Sequence, residues 1–196
     1  GIKLMRSSSN IIHRNSITNN WDGIWLAQSP GNTISQNNMT NNQAAINLFS
    51  SSSNTLESNN MTNNKYALMV WGLNLPDYLN NIYVSNEVNG KPVYYWVNKR
   101  DTIVPPETGY VALVNCTRIT VENLDLKNNG QGLLLAFTTN STITKNNIAN
   151  NGYGISFKNS SRNNIISNNI MANMWDGIWL YQSSNNTISR NNITEN

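Results

Sequence analysis

The hydrophobic residues of this chain recur at alternate positions within short segments that Asn, Ser and Gly interrupt. The signature Gly-Ile-x-Leu shows the pattern at residues 23–26 and 177–180, with close variants at 45–48 and 154–157. Alternation with a period of two residues is typical of a β-strand that buries one face. No apolar segment reaches helix length, so the pattern predicts an all-β fold built from short strands.

The segments repeat along the chain. The tract NNWDGIWLAQSPGNTISQNN at 19–38 returns almost unchanged as NMWDGIWLYQSSNNTISRNN at 173–192. Related tracts are spaced by 22 to 24 residues, except between residues 54 and 117. Periods of this size indicate stacked supersecondary units. The tracts begin at Asn10, Asn32, Asn54, Thr117, Ser141, Asn163 and Asn186.

Aligning the units places apolar residues in columns. One turn of chain per unit, with each column stacked on itself, predicts a parallel β-solenoid with a narrow apolar core. A leucine-rich repeat has a similar period, but its Leu-x-x-Leu-x-Leu signature is absent. The first column is Ile12, Ile34, Leu56, Ile119, Ile143, Ile165 and Ile188, and the second is Ile17, Met39, Met61, Leu124, Ile148, Ile170 and Ile193.

Asparagine also falls into columns. Asn tolerates the left-handed backbone of sharp turns, and its side chain bonds to nearby backbone. Stacked Asn side chains can also hydrogen-bond along the axis of a β-structure. We therefore interpret the Asn-rich composition as structural. One column is Asn15, Asn37, Asn59, Asn146, Asn168 and Asn191, and another is Asn20, Asn42, Asn64, Asn129, Asn151 and Asn173.

Gly-Ile-x-Leu followed by Asn-x-Ile-x-x-Asn-x-Ile, repeated about every 22 residues, resembles the right-handed parallel β-helix repeat proteins. The most similar members are the NosD-like and carbohydrate-associated β-helix proteins, which are common in archaeal cell-surface proteins. The resemblance implies an all-β, right-handed parallel β-helix of about eight coils with roughly 22 residues per coil. We expect one β-helix domain over residues 1–196, with open ends and an irregular, loop-bearing region near 73–110.

Composition narrows the functional classes. The net charge is +3 and only 12% of residues are charged, with the basic residues scattered, which argues against nucleic-acid binding. Cys116 is the single cysteine, so no internal disulfide can form. No apolar run has the length of a membrane span. The chain opens at Gly1 without Met, which is typical of a processed form or of a piece of a longer protein.

Candidate catalytic and metal-binding groups are sparse. Sugar lyases and hydrolases of the resembled fold work with clustered acidic residues, and such clusters need adjacent coils. Here only Glu122 and Asp125 lie close in sequence. His13 stands alone, Met39 and Met61 fall in a core column, and no metal-ligand spacing is present. We therefore expect no enzymatic activity, no metal site and no cofactor.

Aromatic residues are the leading contact candidates. Trp25 and Trp179 occupy the outward position of Gly-Ile-x-Leu, and Trp21 and Trp175 precede them. Exposed Trp often marks a contact surface, although lateral packing against neighbouring turns would also explain it. Because the two pairs belong to distant coils, we expect two separate patches. A projecting loop near 98–108 adds further candidates, which are Tyr94, Tyr95, Trp96 and Arg100.

Seven Asn-x-Ser/Thr acceptors for N-glycosylation are present, but an Asn-rich chain contains about seven by chance. Their number is therefore uninformative, whereas three of them share an outward column. We hypothesise that some carry glycans if the protein is secreted. The column contains Asn38, Asn60 and Asn192, and the others are Asn115, Asn140, Asn159 and Asn185.

These observations favour a structural or adhesive protein of the extracellular space or cell surface. A chain that starts and stops within its repeat predicts head-to-tail contact with itself, as a fibre or a longer stalk. The alternative is a carbohydrate-binding or carbohydrate-processing module, with glycans as partners. A third interpretation, from the NosD-like resemblance, is a copper-related periplasmic protein.

Overall fold

The computed structural model describes all residues from 1 to 196, which form 26 strands and one helix of four residues. The elements of the first part are β1 (Ile2–Met5), β2 (Ile11–His13), β3 (Ser16–Thr18), β4 (Asp22–Ala27), β5 (Thr33–Ser35), β6 (Asn38–Thr40), β7 (Ala44–Phe49), β8 (Thr55–Glu57), β9 (Asn60–Thr62), β10 (Tyr66–Trp71), α1 (Leu75–Tyr78), β11 (Asn81–Ile82) and β12 (Glu87–Val88). Those of the second part are β13 (Lys91–Val97), β14 (Arg100–Ile103), β15 (Tyr110–Val114), β16 (Thr117–Glu122), β17 (Asp125–Lys127), β18 (Gln131–Ala136), β19 (Thr142–Thr144), β20 (Asn147–Ala149), β21 (Tyr153–Lys158), β22 (Asn164–Ile166), β23 (Asn169–Met171), β24 (Ile178–Tyr181), β25 (Thr187–Ser189) and β26 (Asn192–Thr194).

Each regular turn contributes three strands, one to each of three parallel sheets. In the first part the sheets are β1-β4-β7-β10, β2-β5-β8-β11 and β3-β6-β9-β12. Residues 22 apart are partners across adjacent strands, as in Ile12↔Ile34 and Ile34↔Leu56. Residues 1–88 form this N-terminal stack, and residues 91–196 form a C-terminal stack built in the same way. The predicted all-β parallel β-helix is confirmed. Four turns in the N-terminal stack and five in the C-terminal stack make nine, where about eight were expected.

The two stacks are joined by a reversal of the chain. Asn89 and Gly90 both have positive φ, at 50° and 77°, which suits the two-residue turn of a β-hairpin. Val88 pairs with Lys91 across this turn, and β13 runs antiparallel to β12. The other neighbour of β13 in the sheet is β15, and these two strands are parallel. The parallel order is therefore interrupted once, inside the region that the sequence marks as irregular.

The end of the N-terminal stack lies against the flank of the C-terminal stack. Strands β15 and β18 alternate between two cores: Leu113 and Leu135 face the C-terminal core, whereas Ala112 and Leu134 face the N-terminal one. The backbone N–H of Ala67 donates to the carbonyl of Asn128 at 2.7 Å, across the junction. A strand buried on both faces has apolar residues at consecutive positions, which explains the runs VALV and GLLLA.

The predicted register is correct except in the turn formed by β16 and β17. Val121, not Ile119, pairs with Ile143, and Leu126, not Leu124, pairs with Ile148. Ile119 and Leu124 instead take positions that elsewhere hold Asn or Ser, where their backbone N–H groups donate to Ser141 and Asn146. The prediction for these two residues was wrong by two positions because apolar residues stand where the repeat normally has a polar one.

The Asn columns form hydrogen-bonded ladders along the axis. Asn37 Oδ1 accepts both the backbone N–H and the Nδ2–H of Asn15, at 3.0 and 2.9 Å. Its Nδ2 donates to the carbonyl of Ile12 and to Oδ1 of Asn59. Asn37 is buried, so these bonds satisfy an amide that would otherwise be costly to remove from water.

The left-handed turn residues are not the ladder residues. The residue with positive φ stands immediately before the ladder Asn, and it varies widely in type. It is Arg14 before Asn15, Gln36 before Asn37, and Asn19 in a further corner. The Asn columns therefore do not supply the left-handed residues of the turns. Their role is the hydrogen bonding that was also expected, which requires a side-chain amide or hydroxyl.

We predict that replacing Asn163 with Ala destabilises the fold, whereas replacing its neighbour Asn164 does not. Asn163 is buried, accepts from the backbone N–H of Ser141 at 2.9 Å and donates to the carbonyl of Thr138 at 3.0 Å. Loss of these bonds should lower the free energy of unfolding by about 2–4 kcal/mol, against about 0.5 kcal/mol or less for exposed Asn164. Urea denaturation measures both values, and equal losses would contradict the ladder.

Candidate functional site

The outward residues of the N-terminal stack form an aromatic surface. Trp25 is half-buried and lies in register with Lys3 and Asn47 on the neighbouring strands. The ammonium of Lys3 lies 3.8 Å from the centroid of the Trp25 ring, which is close enough for a cation–π interaction. Trp21, in the preceding turn, is 77% exposed. Both predicted Trp residues are therefore available at the surface.

A groove runs beside these rings. Its volume is about 460 Å³, and it is open along one side. Asp22 and Asn47 provide its polar groups, and Oδ1 of Asn47 is buried without a hydrogen-bond partner. Aromatic faces with a carboxylate and an amide beside them can bind a molecule that has both apolar and hydroxyl-bearing surfaces. The lining residues are Trp21, Asp22, Trp25, Asn47, Phe49, Met69 and Trp71.

The second Trp pair belongs to a packed aromatic cluster. Trp175 lies 4.9 Å from Tyr153 between ring centroids, and Trp179 lies 5.4 Å from the same ring. Trp179 is also 6.0 Å from Trp71 on the edge strand of the N-terminal stack. Part of each Trp thus packs against its neighbours, as the lateral-packing alternative proposes, while Trp175 remains exposed.

Trp71 connects the two aromatic regions. It lines the groove beside Trp25, and it contacts Trp179 across the junction of the stacks. The expectation of two separate patches was wrong, because the junction brings distant coils onto one surface. We call this surface the aromatic seam. It consists of Trp21, Trp25, Phe49, Trp71, Tyr153, Trp175, Trp179 and Tyr181.

The candidates near the predicted loop lie mostly on strands. Tyr94 and Trp96 are half-buried on β13 and pack against the C-terminal core. Tyr95 is buried, and its hydroxyl donates to the carbonyl of Tyr78 at 2.6 Å, so the prediction of ligand contact was wrong for Tyr95. Burial also raises the pKa of Tyr95 well above its ordinary value. Arg100 alone among the four is exposed, and it lies on β14.

The predicted loop is also shorter than expected. Strand β14 pairs with β16, so only residues 104–109 connect β14 to β15. Thr108 Oγ1 donates to the carbonyl of Pro105 at 2.6 Å, and Lys91 forms an ion pair with Glu107 at 3.2 Å. These contacts fold the segment back onto the stack, where we had predicted a projecting loop.

The glycosylation acceptors lie mainly on the surface. Asn38 and Asn60 are in register on adjacent strands, and Nδ2 of Asn60 is 3.3 Å from Oδ1 of Asn38. Asn159 is half-buried, whereas the others are exposed. Their occupancy by glycans stays a prediction. The exposed acceptors are Asn38, Asn60, Asn115, Asn140, Asn185 and Asn192.

Asp125 and Asp101 are each engaged by a basic side chain. Asp125 accepts hydrogen bonds from Lys127 at 2.9 Å and from Asn147 at 2.8 Å, and the Lys127 bond is the main cause of its lowered pKa. Asp101 is paired with Arg118, whose hydrogen bond lowers the pKa of that carboxyl. The lowered pKa of Asp125 is the opposite of the raised pKa that the acid of a glycoside hydrolase needs.

Sequence reasoning missed half of the aromatic seam. It did not select Phe49, Trp71 or Tyr153, which stand outside the repeated Trp tracts, or Tyr181, which lies in the second tract where the first has Ala27. A usable signal was present in the runs at 111–114 and 132–136. Consecutive apolar residues on a solenoid strand indicate that something covers its outer face.

Two family models match the chain in succession. Residues 1–96 match the model described as "Right handed beta helix region", and residues 107–196 match the model described as "Periplasmic copper-binding protein (NosD)". No curated protein matches the chain. The two matches meet within the irregular region, close to where the structure reverses its direction.

The donor atoms of this chain do not fit a copper site. His13 is exposed at the N-terminal end, where its Nδ1 is 2.9 Å from Ser35 Oγ, while Cys116 is buried in the C-terminal core. Met39 and Met61 are buried in the N-terminal core. No group of three or more His, Cys, Asp or Glu side chains is close enough to hold a metal ion. The third interpretation from the sequence therefore has no support in the geometry.

We predict that Trp179→Ala weakens the fold much more than Trp21→Ala. Trp179 contacts Trp71, Tyr153 and Tyr181, so its loss removes packing that holds the two stacks together. The expected decrease in the free energy of unfolding is about 2–3 kcal/mol for Trp179, and below about 0.5 kcal/mol for exposed Trp21. Denaturation followed by circular dichroism measures both. Similar losses would show that the seam does not stabilise the junction.

Proposed function

Because the chain belongs to the right-handed parallel β-helix repeat family, we propose that it is a non-catalytic structural module of the periplasm or cell surface. In this proposal further β-helical coils extend its stack head-to-tail. The observation that carries it is the complementarity of the two end coils, in both hydrogen bonding and apolar surface.

Hydrogen bonding between coils has a direction. At each interior step, a side-chain oxygen of the following coil accepts a backbone N–H of the preceding one, as Asn191 Oδ1 does for Asn168. In the last coil, the backbone N–H groups of Asn186 and Asn191 are the ones that would donate to a following coil. In the first coil, Asn10 and Asn15 stand at the ladder positions whose side-chain Oδ1 atoms accept such bonds from a preceding coil. An end coil of one copy can therefore continue the ladder of another.

The end coils also expose core residues. Ile188 and Ile193 are 45% and 44% exposed, whereas their partners Ile165 and Ile170 are buried. At the other end, Ile2 is only half-buried, although it stacks on buried Ile24. Covering these residues removes apolar surface from water, which stabilises a contact by about 25 cal/mol per Å². The covering coil is a second copy or a further segment of a longer polypeptide.

Two observations support the other parts of the proposal. The pairing of Asp101 and Asp125 with basic side chains is compatible with a protein without catalytic acids. The description of the matched NosD model as periplasmic agrees with a location outside the cytoplasm. No helix of the structure has the length and apolar character required to cross a bilayer.

We predict that the protein of residues 1–196 self-associates, and that the double variant Ile188→Glu/Ile193→Glu abolishes association. The two carboxylates would have to be buried without partners in the contact. Val84→Glu is the matched control, because Val84 is an exposed apolar residue outside both end coils. Sedimentation velocity over a concentration series measures association. A monomer at every concentration, or equal association of all variants, would refute head-to-tail contact.

The groove beside Trp25 favours a second function, the binding of a neutral carbohydrate. Sugar rings present C–H groups that stack on aromatic faces and hydroxyls that need hydrogen-bond partners. Trp21 and Trp25 supply the faces, and Asp22 and Asn47 supply the partners. The unpaired Oδ1 of Asn47 is a group that a sugar hydroxyl would satisfy after a rotation of the side chain.

We predict that a neutral oligosaccharide selected on a glycan array binds the groove, and that Trp25→Ala weakens its affinity by about tenfold or more. Trp175→Ala is the control, because Trp175 belongs to the seam but does not line the groove. Isothermal titration calorimetry gives both affinities. Absence of any binder, or an equal loss in the two variants, would exclude the groove as the carbohydrate site.

A further inference from the structure

A second, smaller cavity lies at the junction of the two stacks. Its volume is about 190 Å³, and its walls are almost entirely apolar. It opens to solvent beside the aromatic seam and shares Phe49 and Trp71 with the groove. A cavity of ~150 Å³ is sufficient for a benzene ring in other proteins. This cavity can therefore hold one six-membered ring with a short substituent.

One cation faces this apolar space. Lys158 lies on the outer face of β21, in register with Ala136 and Tyr181, and is only 4% exposed. Its Nζ is 3.8 Å from the centroid of the Tyr181 ring. None of the ion pairs in the structure involves it. Burial of Lys158 lowers the pKa of its ammonium group.

The neighbouring polar groups are already engaged. Asp77 is the acidic residue with an electrostatic effect on Lys158. It forms no ion pair with Lys158, and its Oδ2 accepts the backbone N–H groups of Leu73 and Asn74 at 2.8 and 3.0 Å. The Tyr78 hydroxyl donates to the carbonyl of Gly72 at 2.9 Å. The Lys158 ammonium is thus left as the unpaired charge of the cavity.

We propose that this cavity binds a small apolar carboxylate, with the carboxylate on Nζ of Lys158 and the apolar part against the wall that Trp71 and Trp179 form. A buried ammonium gains a charge-assisted hydrogen bond from a carboxylate, which a neutral molecule cannot offer. A sugar ring fits less well, because its hydroxyls would meet apolar walls without partners. An apolar ring instead finds the edges and faces of aromatic side chains.

This inference is independent of the proposed scaffold function. It uses the flank where the stacks meet. Trp179 and Tyr181 belong to the last coil, but Ile188 and Ile193, which would contact a following coil, do not line the cavity. It also differs from the carbohydrate groove in its chemistry, since Asp22 and Asn47 do not line the cavity. A carboxylate at Lys158 would join residues of both stacks, so binding should also strengthen their contact.

Three isosteric probes test the charge requirement. Phenylacetate carries the carboxylate, phenylacetamide is neutral, and phenethylamine is cationic. Titration followed by tryptophan fluorescence reports binding, because Trp71 and Trp179 line the cavity. We expect phenylacetate to bind about tenfold or more tightly than phenylacetamide, and phenethylamine not to bind. Benzoate and indole-3-acetate extend the series to smaller and larger rings.

A variant at Lys158 tests the position of the site. Lys158→Met keeps a long apolar side chain and removes the charge, so it should abolish the preference for carboxylate over amide. Lys3→Met is the matched control, since Lys3 makes the same 3.8 Å contact with an aromatic ring outside the cavity. Failure of all three carboxylates to bind the unmodified protein, or equal binding of acid and amide, would overturn the proposal. Retention of the preference in Lys158→Met would do so as well.

Discussion

The buried side-chain amide is the constraint on which this fold depends. A coil of about 22 residues must turn several corners, and each corner leaves backbone groups that no strand can pair. The ladder residue at the corner satisfies backbone groups of the preceding coil, as Asn37 does by accepting from the N–H of Asn15 and donating to the carbonyl of Ile12. An unsatisfied buried backbone group costs about 1–3 kcal/mol, so a stack of corners without such bonds would not be stable. The Asn-rich composition follows from this requirement.

The same constraint leaves the outer surface free to vary. Because the ladder side chains point inward, the outward residues of each strand can change without disturbing the corners. One column changes from Lys3 through Trp25 to Asn47 on successive strands. On the outer face of β15 and β18 the residues are apolar, and the end of the N-terminal stack packs against them. The aromatic seam and the smaller cavity result from that docking, whereas the groove beside Trp25 is lined by residues of the N-terminal stack alone.

The repeat could be predicted from the sequence because each coil contacts its neighbours at a fixed spacing. Ile24, Ile46 and Leu68 align by counting alone. The reversal at Asn89 and Gly90 could not be predicted in this way. The same dipeptide occurs at 129–130 and 151–152, where the chain continues in its coil, so the local signal is ambiguous. The contact of Trp71 with Trp179 depends on the reversal, since these residues are far apart in sequence. Ile119 and Leu124 were assigned to the wrong columns because they are apolar residues at corner positions. A corner residue can donate its backbone N–H to the ladder with any side chain, so an apolar residue is tolerated there.

The single hairpin between the stacks has a mechanical consequence. Within each stack, tension along the axis is shared by three sheets of hydrogen bonds and by the ladders at the corners. Between the stacks, the covalent path is the two-residue turn. The load is shared by the β12–β13 pairing, by hydrogen bonds such as that from Ala67 to Asn128, by the apolar contacts of β15 and β18, and by the aromatic rings. A β-helix without this reversal would behave as one stiff rod. In this chain the repeated pattern is interrupted at the reversal, so the contacts of the junction, the seam among them, determine how force passes from one stack to the other.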